Sequence, residues 1–282
     1  MIKVLNEELF YKMLDWYKKY GPVQETILDE EIITSLKCAL VNQAYLAFHM
    51  DGSGFLIIYP YDDNIALNPW FFGGYPIGRN PNSLIEECIS FFKKSKYRRL
   101  EMIIKKLTLK EVEIPMTLAY EYVDLIKKLE YLPLPDEEFV SIKTVQESKL
   151  QEIYHNAFLG SDATFYSIQS ELERENFWKC LNYDMAIKDD ISVALMIDDE
   201  IVGFVLVYDV HKYKHISCMC IKKEYQHKGY GKKLLQYVIH HSYSSGYEYL
   251  SLGTETTMKA FHLYRAFDFR IVNTKSYYIE MQ

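Results

Sequence analysis

Between Tyr225 and Leu235 the chain reads YQHKGYGKKLL. Gly229 and Gly231 stand two apart, with His227, Lys228, Lys232 and Lys233 around them, directly before the apolar stripe Leu234, Leu235, Val238 and Ile239. A glycine turn that opens a helix leaves the first backbone N–H groups without partners, at the end where the helix dipole favours negative charge. Glycine also permits positive φ and lets a ligand approach the main chain closely. The combination predicts a nest for an anion such as phosphate, with the lysines adding salt-sensitive attraction. Two common phosphate loops do not fit. G-x-x-x-x-G-K-[ST] requires Gly at 226 and Ser or Thr at 233, where the chain has Gln and Lys. G-x-G-x-x-G requires Gly at 234, where it has Leu. The pattern that is satisfied is Gln226-x-x-Gly229-x-Gly231.

Periodicity supplies the elements that must carry this loop. ESKLQEIYHNAF and YSIQSELERENFWKCL read as helices, and ISVALMIDDEIVGFVLVYDV as a hairpin turning at Asp198-Asp199-Glu200. KHISCMCIKK is a strand, then come the loop and its helix, with Gly246 as a stop signal. YEYLSLG is a strand, TMKAFHLYRAF a helix and FRIVNTKSYYIEM one or two closing strands.

Gln226-x-x-Gly229-x-Gly231 after the strand CMCIKKEY resembles the acyl-CoA loop of the GNAT superfamily of N-acyltransferases, over about residues 142–282. The resemblance implies a mixed, mostly antiparallel sheet flanked by helices, an α/β (α+β) fold. It implies that main-chain N–H groups from Gln226 through His227, Lys228, Gly229, Tyr230 and Gly231 to Lys232 hold the diphosphate of acetyl-CoA. It further implies that the strand edge at Cys220, Ile221 and Lys222 pairs with the pantetheine amides, which need partners once desolvated. A strand N–H near Ile221 would polarise the thioester carbonyl.

A second family pattern, N-x-x-A-x-x-L-Y-x-x-x-G-F, is matched at Ala260, Leu263, Tyr264 and Phe269, with Thr257 and Asp268 departing from it. Asp268 replaces a helix-exit glycine, and Asp accepts the left-handed conformation better than most residues. By this resemblance Tyr264 is the expected proton donor to the leaving thiolate. Some members carry a carboxylate base eleven residues before the loop glutamine. His215 occupies that place, and an imidazole titrating near neutrality can do the same work. Glu255 is the lesser alternative. The implied acceptor is a primary amine of a small molecule or peptide. Two other readings compete with catalysis from a thioester: a CoA-binding sensor or scaffold, and an aminoacyl transferase of the tandem GNAT-like type.

The formal net charge is −7, and the local basic charge lies near residues 222–233. A broad positive field for nucleic acid or an anionic membrane is therefore not expected. The N-terminus lacks a signal-peptide core, which points to the cytoplasm. Five cysteines do not form a disulfide framework by number or spacing. Cys218 and Cys220 share a strand face and read as core thiols, and neither they nor His240-His241 have companions for a metal site.

The first half repeats the order more loosely. Helices are expected near 6–19 and 28–42, and from about Ser83, where Ser83-x-x-Glu86 suggests a capping box. AYLAFHM, FLIIYP, NIALNPWFF, YRRLEMII and EFVSIK read as strands, and MTLAYEYVDLIKKLE as a helix. The halves join near 132–146, giving two tandem domains, 1–135 and 142–282. In the first, Gly73–Gly78 contains no Q/R-x-x-G-x-G, and aligning Glu130-Tyr131 with Asp268-Phe269 sets Ile126 opposite Tyr264. The first domain is thus expected to be degenerate, supporting the second or walling its acceptor cleft. NPWFFGGYPIGRNP is an alternative substrate loop.

Overall fold

The computed structural model describes residues 2–4, 6–20, 37, 46–50, 54–61, 64–67, 77–78, 81–105, 114–210 and 213–282. The helix expected near 28–42, apart from residue 37, and most of the stretch NPWFFGGYPIGRNP lie outside them. Two compact units divide the chain: Met1–Glu121 with Asn273–Gln282, and Tyr122–Val272. The junction was expected near 132–146; these units part at Glu121/Tyr122 and again at Val272/Asn273.

The first unit contains β1 (Ile2–Val4), α1 (Glu7–Tyr20), β2 (Leu46–Met50), β3 (Gly54–Tyr61), β4 (Asn64–Leu67), β5 (Ile77–Gly78), α2 (Pro81–Phe92) and β6 (Arg99–Lys105). β1 to β4 pair antiparallel in sequence, β4 and β6 pair in parallel, and residues 275–281 pair antiparallel with β6. Asn6 caps α1, its side chain accepting from the Leu9 N–H at 2.9 Å. Leu84, Ile85, Cys88, Ile89 and Phe92 form one stripe of α2 and bury it against Leu100, Met102 and Ile104 of β6. α2 begins at Pro81 rather than Ser83. Proline suits a first helical position because the N–H it lacks would be unpaired there.

The second unit contains the end of β7 (Thr117–Lys128), β8 (Glu138–Ser141), α3 (Glu147–Phe158), α4 (Thr164–Ser167), α5 (Glu171–Lys179), α6 (Tyr183–Ala186), β9 (Val193–Ile197), β10 (Glu200–Val210), β11 (Tyr213–Ile221), α7 (Tyr230–Ser244), β12 (Tyr249–Glu255) and α8 (Lys259–Ala266). The last strand, β13 (Arg270–Met281), starts here and ends in the first unit. β8, β9, β10 and β11 pair antiparallel in sequence, β11 and β12 pair in parallel, and residues 122–128 of β7 pair antiparallel with β12. This is the mixed, mostly antiparallel sheet flanked by helices that was expected. Asp198 and Asp199 turn the β9–β10 hairpin with φ of 49° and 62°, the left-handed pair that a tight two-residue turn demands.

The stretch MTLAYEYVDLIKKLE is a strand, not a helix. Its apolar residues satisfy both periods, but burial alternates at Val123, Leu125, Lys127 and Leu129. A partner far along the chain decides it, since Leu125 lies opposite Leu252. Ile126 therefore stands on a strand opposite Ser251, and its alignment with Tyr264 fails. The expected helix YSIQSELERENFWKCL is likewise broken into α4 and α5 at Ser170, whose side chain and Glu173 make a capping box.

Two apolar layers sandwich this sheet. On one face Leu234, Leu235, Val238 and Ile239 of α7 and Tyr264 of α8 pack on Val205, Val207, Ile216 and Leu252. On the other, Leu150, Ile153, Tyr154 and Trp178 from α3 and α5 cover Phe204, Leu206, Cys218 and Cys220. Cys218 and Cys220 do share a face, as buried thiols.

Candidate active site

The site begins with one extra residue. Leu206 pairs with Cys218 and Val207 with Ile216, so Ser217 is inserted as a β-bulge in β11. The bulge reverses the side-chain alternation, which puts Ile216 in one core layer and Cys218 in the other. β11 also leaves its parallel neighbour there. Lys214, His215 and Ile216 pair with Leu250, Ser251 and Leu252, and Ser217–Ile221 continue without β12 partners.

The Lys222 N–H donates to the Val202 carbonyl at 2.8 Å, one step beyond the Gly203–Ile221 pair. In an antiparallel ladder, alternate residues turn their polar groups to one neighbour. Cys220 and Lys222 thus face β10, while Met219 and Ile221 face the opening between β11 and β12. Of the three residues expected to offer a strand edge, only Ile221 does so. Met219 joins it, a residue that sequence reasoning did not find. The Ile221 carbonyl already accepts from Gln226 Nε2 at 2.9 Å, which leaves its N–H as the group on offer.

The loop after β11 is tied down by side chains. Gln226 Nε2 also donates to the Ala157 carbonyl at 3.1 Å, fastening the loop to the end of α3. The Gln226 N–H is used as well, donating to Lys223 at 3.2 Å. Lys222 is buried in an ion pair with Glu200, which also accepts from the Tyr225 hydroxyl at 2.8 Å. Lys228 lies over the Tyr225 ring at 4.9 Å, and Lys233 pairs with Glu137 at 2.9 Å. The residues expected to act through charge are thus partly neutralised. Among the described residues Lys232 has no ion-pair partner.

Beyond Gln226 the main chain is different. His227 and Gly229 both take positive φ, 61° and 90°, and Gly229 leads into α7 without a side-chain cap. Among the described residues, the N–H groups of His227, Lys228, Gly229, Tyr230, Gly231 and Lys232 donate to no protein group, and the ladder resumes at Lys233, bonded to Gly229 at 3.2 Å. Holding a histidine in the left-handed region costs about 1–2 kcal/mol. Gly231 adopts no positive φ, and an added Cβ would meet nothing closer than Leu263 at 3.6 Å. Nothing in the chain requires a glycine there, although glycine in a helix costs about 1 kcal/mol relative to alanine. A ligand lying against the backbone would require it.

Tyr264 reaches the sheet from α8 on the layer of Ile216 and Leu252, its ring edge-on to Phe269 at 5.9 Å. Its hydroxyl makes no hydrogen bond among the described residues. Burial, aided by the nearby Cys218 and Cys220 thiols, raises its pKa, so the phenol keeps its proton. Asp268 takes φ of 61° and turns the chain out of the helix as the missing glycine would. His215 sits at the last paired stretch of β11, its Nδ1 2.8 Å from Ser251 Oγ and its ring 5.2 Å from that of Tyr208.

Glu255 is engaged elsewhere. It is fully buried and accepts from the Thr164 N–H at 3.0 Å, the Phe165 N–H and the Thr257 hydroxyl at 3.3 Å. It caps α4, so the lesser candidate for a base holds a helix in place. Burial raises its pKa against the pull of those donors. His240 Nδ1 donates to the Leu132 carbonyl at 2.7 Å and anchors the segment after β7.

These free N–H groups, the parted strands and the phenol occupy one stretch of chain, and residues 150–269 match the family model described as the acetyltransferase (GNAT) family. The second unit carries a GNAT acetyltransferase domain. Family members are acyltransferases that act on amines. None of the curated proteins matches the chain. Among solved structures, a GCN5-related N-acetyltransferase from Sphaerobacter thermophilus is similar with a TM-score of 0.60 at 14% identity, covering 100% of this chain and 95% of that one. A tandem GNAT protein from the clavulanic acid biosynthesis pathway gives 0.53 at 10%, covering 100% and 98%. A probable N-acyltransferase from Enterococcus faecalis gives 0.50 at 10%, covering 100% and 72%. At these identities the likeness is one of fold, and it extends through both halves of the chain. Among the described residues no helix is long and apolar enough to cross a membrane.

Proposed function

We propose that the GNAT domain transfers an acetyl group from acetyl-CoA to a primary amine of a small molecule or peptide, by direct attack and without a metal. The observation that carries this reading is the run of unpaired N–H groups from His227 to Lys232 beside a strand edge left open at Met219 and Ile221. The first would take the diphosphate and the second the pantetheine amides. Acetyl-CoA supplies an activated acyl thioester. The chain's residues do the rest. The Ile221 N–H would polarise the carbonyl. His215 takes a proton from the incoming amine, directly or through water. Tyr264 donates a hydrogen bond to charge developing on sulfur. A phenol held above its ordinary value of about 10 does not surrender its proton for long to a thiolate whose acid has a pKa near 8.5. Its contribution is that hydrogen bond, and the sulfur's proton comes finally from solvent or imidazolium. The first unit would be a degenerate GNAT-like domain without the loop for the cosubstrate, and the protein would act in the cytoplasm.

The test is thiol release from acetyl-CoA against an amine library, run beside Tyr264→Phe. The expected result is release with some amines, and a kcat lowered about 100-fold in the variant with CoA affinity kept. An unchanged kcat would remove Tyr264 from the chemistry. Stoichiometric CoA binding without release would favour a sensor or scaffold, and no CoA binding at all an aminoacyl transferase.

A further inference from the structure

We infer that Asp162 and Glu255 are positioning residues for the cosubstrate: they fasten one end of a strap, residues 156–165, whose other end holds the segment after β11, so that the gap between the parted strands is set before any ligand enters. The inference rests on the reading that acetyl-CoA occupies that gap. Among the described residues β11 runs on through Ser217–Ile221 without β12 partners. β12 likewise runs on through Gly253, Thr254 and Glu255, paired there with β7 and not with β11. Two strand ends thus stand apart, with backbone groups that a neighbouring strand would ordinarily bond.

One stretch of chain is tied to both ends. At the near end the Lys223 N–H donates to Asn156 Oδ1 at 2.8 Å, and Gln226 Nε2 donates to the Ala157 carbonyl at 3.1 Å. These bonds join the last turn of α3 to the segment that follows β11. At the far end Glu255, the last residue of β12, accepts from the Thr164 N–H at 3.0 Å and from the Phe165 N–H. Asp162 accepts at 3.1 Å from the N–H of Lys259, the first residue of α8, the helix that carries Tyr264. Between its ends the strap folds back. The Ser161 N–H donates to the Phe158 carbonyl at 3.1 Å, and Ser161 Oγ accepts from the Ala163 N–H at 3.2 Å. The Phe158 and Phe165 rings pack edge-on with centroids 5.5 Å apart, which fixes the separation of the two fastenings.

The two carboxylates are exchanged caps. A helix start is ordinarily capped by the side chain just before it. α4 and α8 begin behind Ala163 and Met258, neither of which makes a side-chain cap. Asp162 stands before α4 but caps α8, and Glu255 stands before α8 but caps α4. Each cap therefore stabilises a helix start and, in the same bond, links the strap to the β12 side of the gap. Glu255 is fully buried, so its charge depends on those donors. A gap held at its width in the free protein spares acetyl-CoA the entropic cost of ordering the strand ends as it binds.

Asp162 is exposed, so its variants should fold. In calorimetric titration of the full chain with CoA, Asp162→Ala should weaken affinity about 5-fold. Asp162→Asn keeps an accepting oxygen and should match wild type. Glu255→Gln replaces one of the two accepting oxygens by an NH2 group and should weaken affinity about 10-fold. Amide hydrogen exchange without CoA reads the strap itself. Asp162→Ala should speed exchange at Lys259 and also at Lys223, which lies at the opposite end of the strap. A change confined to the first turn of α8, or an unaltered CoA affinity in Asp162→Ala, overturns the proposal and leaves Asp162 a local cap. Failure of the wild type to bind CoA would instead discard the cosubstrate reading, and the strap's part in binding with it.

Discussion

In the first unit β4 runs beside β6 along its whole length, Asn64 with Arg99 through Leu67 with Met102. In the second, β11 keeps company with β12 only from Lys214 to Ile216 and then goes on alone to Ile221. Both are parallel pairs whose strands are joined through a helix, α2 in one and α7 in the other. The difference upstream is a single residue. β3 and β4 pair without interruption from Ile58–Leu67 to Tyr61–Asn64, whereas the β10–β11 ladder is shifted by Ser217. A bulge bends its strand and sharpens the local twist. In the second unit the inserted residue stands at the point where β11 leaves its parallel neighbour. The helices differ in the same sense. α2 starts at Pro81, which has no N–H to offer, and α7 starts behind His227 and Gly229, whose positive φ values expose a row of them.

Proline substitution would break this comparison most forcefully. A strand paired on both sides uses every N–H in its interior, so Ala66→Pro in β4 should destabilise the protein by about 3 kcal/mol. Cys220→Pro should do the same, because that N–H faces β10. Met219→Pro removes an N–H from the open edge instead. The expected loss of stability is about 1 kcal/mol, accompanied by a rise of about 10-fold in the KM for acetyl-CoA. Denaturant melts with steady-state kinetics would decide it. Equal destabilisation at 219 and 220 would mean that the edge is not open.

Gly231→Ala is a smaller and sharper test, because the two consequences have opposite signs. An alanine fits sterically and gains helix propensity, so unfolding free energy should rise by about 1 kcal/mol. The methyl group would stand where the diphosphate must approach, so CoA affinity should fall by about 10-fold, or about 1.4 kcal/mol. Calorimetric titration and urea unfolding on the same preparation would measure both. A stabilised variant that binds CoA normally would mean that the glycine serves no ligand.

How legible this was depended on distance along the chain. The conformation of the loop could be expected because its signal is local: Gln226, Gly229 and Gly231 lie within six residues and precede an apolar helical stripe, whereas the tie from Gln226 to Ala157 spans the length of several elements. Tyr264 and Asp268 belong to one helix and its exit. Register between distant strands was not legible. Nothing near Val123 and Leu125 says that they face β12, so a period-2 stretch read as a helix. The Ser217 bulge leaves no mark in composition, and without it Met219 cannot be told from Cys220 as an edge residue. Ser251 is one serine among many until β12 is set beside His215.

The smallest effect concerns acid. Of the eight histidines, only His49 falls in the first unit, and the other seven lie between Tyr122 and Val272. Burial holds His155 and His241 below the ordinary value of 6.5, with the charge of His240 adding to the effect at His241. A base whose pKa is depressed by folding stabilises the fold while it is neutral. That contribution is complete above the unfolded value and is lost as pH falls through the folded one. The unfolding midpoint of the second unit should therefore decline below about pH 6.5. Both groups are only partly buried, so the slope should be shallow, and exposed solvent weakens it further. The double variant His155→Asn, His241→Asn should flatten the decline, while any transition belonging to the first unit keeps the same pH dependence in both proteins. If wild type and variant lose stability in parallel between pH 7 and about pH 5.5, the acid response comes from carboxylates, and the histidines of the open-edged unit have no part in it.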